Sequence, residues 1–296
     1  MAKRATLLLD GLYFGEGPRW HEGELWFSDF YDHAVKAVTP SGSVRTVVEL
    51  PGGGQPSGLG WLPDGRLLLV SMLDRKLLRL EPGGLVDHAD LSGVATFHCN
   101  DMVVDATGRA YVGNFGFDLD AELAARGMQS VLEDHVAAKL ARVDPDGSVH
   151  VVASDMHFPN GSVITPDGRT LIVAETFGLR LTAFTIADDG SLHDRRVWAD
   201  LGFRVPDGIC LDADGNVWVA NPLSPECFLV AEDPNGADII DVVETDHPCY
   251  ACMLGGEDRT TLFMLTAATS EGASAAAART GHVVTAAVEV PGAGWP

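Results

Sequence analysis

Short hydrophobic runs recur along the chain, and each follows a polar turn that contains a glycine. The pattern occurs six times, the last in degenerate form, over residues 20–28, 62–70, 105–113, 166–174, 212–220 and 256–264. Asp-Gly and Asp-x-x-Gly steps supply the positive-φ residue of a tight hairpin. The β-branched and aromatic runs that follow them predict strands.

The spacing of the turn glycines predicts the architecture. Gly23, Gly65, Gly108, Gly168 and Gly215 are separated by 42, 43, 60 and 47 residues. A second hairpin pattern, such as the Asp-Pro-Asp-Gly step at 144–147, falls within most units and gives each unit four strands. A period of roughly 40–50 residues with four strands is typical of a β-propeller blade. We therefore predict an all-β, six-bladed β-propeller with four-stranded blades, in a single domain over residues 1–296.

The two ends of the chain are predicted to close the ring. A strand over 6–9 would join a sheet built from 282–290 and so hide two sheet edges. The 60-residue interval has a surplus that fits a short helix over about 118–135, where Leu119, Leu123 and Ala124 fall on one stripe. Two interpretations of this insertion stay open: a lid over one end of the ring, and a surface decoration with no role in binding.

Acidic residues outnumber basic ones, which narrows the range of partners. The 296 residues include 42 Asp+Glu and 20 Lys+Arg, a formal net charge of −22. Such a chain repels nucleic-acid phosphates and anionic membrane surfaces, so we expect no nucleic-acid and no membrane partner. Metal cations and neutral small molecules remain. Five scattered cysteines favour a reducing, cytoplasmic location, and the Cys249-x-x-Cys252 pair has no second pair to complete a zinc site.

Oxygen-bearing side chains with similar neighbours precede three of the predicted inner strands. Glu16, Asn160 and Asp207 each follow Gly or Pro and precede Gly. The loops that enter the inner strands of a propeller converge at one mouth, so these three side chains are predicted to meet on the axis. Two carboxylates and an amide carbonyl suit one divalent cation, with Ca²⁺ first and Mg²⁺, Mn²⁺, Zn²⁺ or Fe²⁺ as alternatives. The competing interpretation is ordinary turn chemistry, because Asp-Gly and Asn-Gly are common turn dipeptides.

Five short motifs follow one another along the chain: Gly15-Glu16-Gly17-Pro18, Asn100-Asp101, Pro159-Asn160-Gly161, Pro206-Asp207-Gly208 and residues 252–256. Together, from about residue 16 to residue 266, they resemble one known family, the gluconolactonase/regucalcin (senescence marker protein) family. The resemblance implies six blades, one divalent cation in the channel, and a lactonase activity. It makes Glu16, Asn160 and Asp207 the metal ligands and puts Asn100 in contact with metal or substrate.

Two positions depart from the family pattern. His98 stands where related chains carry an Arg that holds sugar hydroxyls, and Met102 stands where Gly is common. The predicted substrate is therefore a small lactone, either sugar-derived or aliphatic. A cation would polarise the lactone carbonyl and activate water. Asp207 is the general base that the resemblance implies, although a carboxylate bound to a dication is a weakened base.

Several assignments within this site stay open. Asp101 is the competing proton acceptor, Asn100 can donate to the carbonyl or ring oxygen, and His98 either orients substrate or has no catalytic role. Two other functions fit the same predicted site: an organophosphate hydrolase, and a propeller that binds a metal or a ligand without catalysis.

Overall fold

The strands form six antiparallel sheets, in the part of the chain that the computed structural model describes, residues 3–294. The chain begins with β1 (Lys3–Arg4) and β2 (Thr6–Leu12), which join the last two sheets. The first sheet contains β3 (Gly15–His21), β4 (Glu24–Asp29), β5 (Ala34–Val38) and β6 (Val44–Glu49). The second contains β7 (Pro56–Trp61), β8 (Leu67–Ser71), β9 (Lys76–Glu81) and β10 (Gly84–Asp90). The third contains β11 (Cys99–Val104), β12 (Ala110–Asn114), β13 (Ala138–Val143) and β14 (Val149–Met156).

The remaining sheets repeat this plan. The fourth contains β15 (Pro159–Ile164), β16 (Thr170–Glu175), β17 (Arg180–Ile186) and β18 (Leu192–Asp200). The fifth contains β19 (Ile209–Leu211), β20 (Val217–Asn221), β21 (Glu226–Val230) and β22 (Ile239–Glu244), with β1 parallel to β22 at its edge. The sixth contains β23 (Cys249–Gly255), β24 (Thr261–Thr266) and β25 (Gly281–Ala287), with β2 as its fourth strand.

The first strand of each sheet lies innermost and contacts the first strand of the next. These contacts run from β3 through β7, β11, β15 and β19 to β23, and β23 contacts β3 again. The sheets therefore form a closed ring, and the predicted six-bladed propeller with four-stranded blades is confirmed. The repeat glycines at 23, 65, 108, 168 and 215 have φ values of 83°, 87°, 89°, 71° and 85°, as the hairpin pattern required. The predicted domain also included residues 1, 2, 295 and 296, which lie outside the described residues.

Strand β2 closes the ring by pairing antiparallel with β25, as predicted. β25 ends at Ala287, three residues before the expected boundary, because the following segment leaves the sheet. In that segment Gly292 forms an isolated antiparallel β-bridge with Asp212, which lies just after β19 of the fifth blade. The N–H of Ala213 donates to Pro291 O at 2.8 Å. The sequence also did not predict β1, which pairs with β22 through Lys3 and Val243.

Two helices interrupt the strands of the described chain. α1 (Leu119–Glu133) confirms the helix expected in the insertion, and the Asp118 side chain caps it by accepting from Ala121 N–H at 3.0 Å. The buried Val131 packs with Phe117, Phe158 and Phe177, which holds α1 at the end of the ring where the inner strands begin. α2 (Gly272–Ala278) was not predicted and connects β24 to β25.

Single turns of 3₁₀ helix occupy Phe30–Asp32, Pro51–Gly53 and Thr176–Gly178. Neither α-helix combines the length and apolar character that crossing a membrane would demand. All five cysteines are buried free thiols.

Candidate active site

The inner strands are irregular at the point where the predicted site residues lie. Five of them shift register against their neighbours: between Glu16 and Arg19, Pro56 and Leu59, Cys99 and Met102, Pro159 and Ser162, and Cys249 and Ala251. In the fifth blade, β19 starts at Ile209, so Asp207 immediately precedes it. A bulge releases a residue from the hydrogen-bond ladder and redirects its side chain. The same end of every inner strand is therefore free to present side chains to the axis.

The glycines after two predicted ligands hold neighbouring blades together. A Cβ at Gly161 would lie 2.5 Å from Ile209 N and 2.6 Å from Asp207 O, and one at Gly208 would lie 2.7 Å from Ala251 Cα. Neither glycine has a positive φ. These two dipeptides therefore do not supply the positive-φ glycine of a tight hairpin, and the glycines allow the backbones of adjacent blades to touch. That contact brings Asn160 close to Asp207.

The carboxylates of Glu16, Asp101 and Asp207 interact across the axis. Burial raises the pKa of Glu16 well above its usual range, and the charges of Asp207 and Asp101 raise it further. Burial and Asp101 likewise raise the pKa of Asp207, while a hydrogen bond with the Asn160 side chain acts in the opposite direction. Glu16 of the first blade therefore interacts electrostatically with Asp207 of the fifth, and Asn160 of the fourth blade is hydrogen-bonded to Asp207. Such a cluster is most stable when a cation neutralises it.

Asn160 has a second polar neighbour. Its Nδ2 donates to Thr176 Oγ1 at 3.1 Å, and Asn160 is 6% exposed. The donor set formed with Glu16 and Asp207 is two carboxylates and one amide, which fits a hard divalent cation.

Asp101 occupies a different environment from the other two acids. Its Oδ1 lies 3.5 Å from Nη2 of Arg19 and accepts from Met102 N–H at 3.0 Å. Burial raises the pKa of Asp101, and the Arg19 charge and this hydrogen bond oppose the rise. Within residues 3–294, Asp101, Glu16 and Asp207 do not bring one oxygen each within 4.8 Å of one another. The three carboxylates alone therefore do not form a compact set of ligand atoms.

Arg19 is a site residue that sequence reasoning missed. It is 2% exposed, and its guanidinium donates to Pro18 O at 2.8 Å and to Met102 O. The available indication was a second charged residue in the predicted inner-strand segment, three positions after Glu16. Arg19 joins the first blade to the third through Asp101 and Met102.

Aromatic side chains cluster at the end of the ring where the inner strands begin. His98 stacks on Phe97 with ring centroids 4.0 Å apart, and Phe115 stacks on Phe158 at 4.4 Å. Tyr250 packs edge-on against Phe14 at 4.7 Å. The aromatic collar consists of Phe14, Tyr31, Phe97, Phe115, Phe158 and Tyr250.

The predicted substrate contacts lie at two depths. Burial lowers the pKa of His98, against the opposing charges of Asp118 and Asp120 at the start of α1, and so favours its neutral form. Asn100 is buried on β11 beside Asp101. His98 is therefore half-buried just before β11, and Asn100 is buried within β11, directly before Asp101 in the chain.

Residues 14–268 match the model of the SMP-30/gluconolactonase/LRE-like region. The chain belongs to this family. Pentonolactonase XacC of Haloferax volcanii is 25% identical, over 86% of this chain and 81% of that protein. Lactonase drp35 of Staphylococcus epidermidis is 26% identical, over 72% of this chain and 63% of that protein. These names agree with the predicted class of enzyme, a hydrolase that opens lactones.

Solved structures in this SMP-30/gluconolactonase family share the fold. A calcium-binding regucalcin from Agrobacterium tumefaciens matches with a TM-score of 0.77 at 22% identity, over 99% of this chain and 96% of that one. A gluconolactonase from Xanthomonas campestris matches with a TM-score of 0.70 at 23% identity, over 97% and 88%. The predicted family and fold class are thereby confirmed.

Proposed function

We propose that this protein is a metal-dependent lactonase that hydrolyses a small lactone to the hydroxy acid. The proposal is supported by the charge interaction of Glu16 with Asp207 and by the hydrogen bond of Asn160 with Asp207, in a family that includes named lactonases. Their oxygens are the ligand types that hard cations prefer, so Ca²⁺ is our first choice. Mg²⁺, Mn²⁺, Zn²⁺ and Fe²⁺ are the alternatives that the assay compares.

The cation would supply Lewis-acid polarisation of the lactone carbonyl and a lowered pKa for water. We assign proton acceptance to the Asp101 carboxylate, because it is not one of the three proposed ligands, it is paired with Arg19, and burial raises its pKa. Asp207, as a ligand, is the weaker base. Arg19 holds Asp101 in place through the 3.5 Å contact. The Asn100 amide, next to Asp101, donates to the carbonyl or ring oxygen.

The aromatic collar favours an aliphatic lactone over a polyhydroxylated one. Sugar hydroxyls buried among Phe97, Phe115 and Tyr250 would lose hydrogen bonds to water, which costs free energy unless new partners replace them. His98 has a lowered pKa and stacks on Phe97, and an imidazole offers fewer hydrogen-bond donors than an Arg guanidinium. We therefore expect an apolar ring substituent to lie against the collar and the lactone carbonyl oxygen to face the cation that Glu16 and Asp207 would hold.

The decisive experiment is a pH-stat assay of chelator-treated protein reloaded with each of the five metals. Gluconolactone, simple γ- and δ-lactones and a fluorophosphate serve as substrates. We expect metal-dependent opening of an aliphatic lactone, lost in Glu16→Gln and in Asp207→Asn. Glu22→Gln, on an exposed turn of the same hairpin, is the matched control and should keep full activity.

Each alternative has its own result. Full activity after metal removal would contradict the proposal, as would an active Glu16→Gln variant. Turnover of the fluorophosphate alone would identify an organophosphate hydrolase. Metal binding without turnover of any substrate would indicate a binding propeller.

A further inference from the structure

A second cluster of metal-ligand side chains lies away from the channel axis. Asp246, His247 and His282 each bring one ligand atom within 4.8 Å of the other two, and within residues 3–294 they form the one such set of His, Cys, Asp or Glu. Zn–N and Zn–O bonds are about 2.0–2.2 Å long, so the ligand atoms of one ion lie about 3–4 Å apart. The cluster needs little movement to reach that geometry.

The carboxylate of Asp246 is already oriented by its neighbours. Its Oδ1 accepts from Thr266 Oγ1 at 2.9 Å and from His247 N–H at 3.0 Å. Its Oδ2 is hydrogen-bonded to Nδ1 of His282. One oxygen is therefore held by the protein, and the other faces an imidazole. Outer hydrogen bonds of this kind orient the ligands of metal sites.

The two histidines are held on separate parts of the sixth blade. Thr245 Oγ1 donates to His247 O at 2.7 Å and fixes the segment that enters β23. His282 lies on β25 and pairs with Thr266 of β24. The two imidazole centroids are 5.3 Å apart. Both rings are half-buried and Asp246 is exposed, so solvent can reach the cluster.

We propose that Asp246, His247 and His282 form a second metal site that binds Zn²⁺ or a similar borderline dication. Two imidazoles and one carboxylate suit such ions, whereas Ca²⁺ and Mg²⁺ prefer all-oxygen sites. Three protein ligands with solvent access leave a coordination position for water. The site is independent of the lactonase proposal because none of its residues belongs to the channel set.

A bound ion would link two parts of the blade that closes the ring. Asp246 and His247 precede the inner strand β23, and His282 lies on β25, which also holds β2. A ligand that binds only the folded state raises its stability. Zn²⁺ is therefore expected to raise the melting temperature as well as to bind.

Calorimetric titration of tag-free protein with Zn²⁺, in saturating Ca²⁺, tests the site, and Co²⁺ absorption reports imidazole ligation. We expect a single Zn²⁺ equivalent, affinity at least about tenfold lower in His247→Ala and in His282→Gln, and no Zn²⁺-induced rise in melting temperature in either variant. His150→Ala is the matched control. His150 Nε2 lies 3.0 Å from Asp144 Oδ2. This His–Asp pair has no third metal-ligand side chain close enough to complete a site, within residues 3–294.

Two results would overturn the proposal: wild-type protein that binds no Zn²⁺ in the presence of Ca²⁺, or His247→Ala with the affinity of His150→Ala. If His282→Gln fails to fold, His247→Ala still decides, because His247 lies in a loop before β23.

Discussion

Substitution of Gly161 by Ala tests whether contact between blades positions the candidate metal ligands. The new Cβ would meet three backbone atoms: Ile209 N at 2.5 Å, Asp207 O at 2.6 Å and Gly208 Cα at 2.7 Å. Backbone atoms cannot rotate away as a flexible side chain can. The fourth and fifth blades must therefore move apart at the place where Asn160 approaches Asp207.

The size of the effect follows from these distances. The new Cβ would have to move from 2.5 Å to an ordinary contact distance of 3.4 Å from Ile209 N, so the two backbones must separate by about 0.9 Å. Overpacking costs about 1–3 kcal/mol, and the rigid neighbours argue for about 3 kcal/mol. For a chain of 296 residues that lowers the melting temperature by about 5 °C, because the unfolding entropy is about 2.1 cal/mol/K per residue. Metal sites tolerate only about 0.2 Å in ligand distance, so we expect Ca²⁺ affinity to fall at least about tenfold.

Two measurements check the prediction: thermal unfolding followed by circular dichroism, and calorimetric titration with Ca²⁺. Gly93→Ala is the matched control, because its Cβ would meet nothing within 4 Å and its φ is not positive. It should leave both quantities unchanged or slightly raise stability. If Gly161→Ala matches Gly93→Ala in melting temperature and in Ca²⁺ affinity, the reasoning is refuted.

Three further predictions concern charge and ring closure. Arg19→Met removes the charge that opposes the raised pKa of Asp101, so the acid limb of kcat/KM should move to higher pH; an unmoved profile would exclude Asp101 as the base. In this variant the ionised Asp101 would be buried without its cationic partner. The free energy of unfolding, measured by urea titration, should therefore fall by about 3 kcal/mol at pH 8 and by less at pH 5. Burial by itself would raise the pKa of Glu175, but hydrogen bonds, the one from Arg180 first, lower this pKa below the usual 4.5. The ionised Glu175 therefore stabilises the fold above pH 4.5, and this stabilisation is lost as the pH falls through the lowered pKa. Glu175→Gln should therefore flatten the acid side of the stability profile, and an unchanged profile would count against this ion pair. Removal of residues 3–12 should lower the melting temperature and cause aggregation seen by light scattering, because β25 becomes an open edge; a monomeric protein of normal stability would contradict the role of β2.

Much of the fold was accessible from local patterns. Hairpin glycines such as Gly65 and Gly108 have the positive φ that their sequences implied, because turn geometry depends on a few adjacent residues. The insertion helix was likewise visible as a stripe around Leu119 and Leu123. α2 was missed although its Ala-rich segment has strong helix propensity, so there the failure lay in the interpretation and not in the sequence.

The candidate site was only partly predictable. Repetition in three units indicated Glu16, Asn160 and Asp207, yet the same dipeptides equally suited turns. Arg19 gave no comparable pattern, since its partner Asp101 lies on another blade. Its role depends on which strands become neighbours when the ring closes.

The sequence by itself determined the number of units, the hairpins within them and the two chain ends that close the ring, because these depend on backbone preferences and hydrophobic alternation over a few residues. Only the tertiary structure decided which polar groups meet. Blade-to-blade contacts at Gly161 and Gly208 bring Asn160 and Asp207 together, and the pairing of β24 with β25 sets His282 beside Asp246. Such contacts join residues far apart in the chain, and their distances are fixed by how the blades pack around the axis.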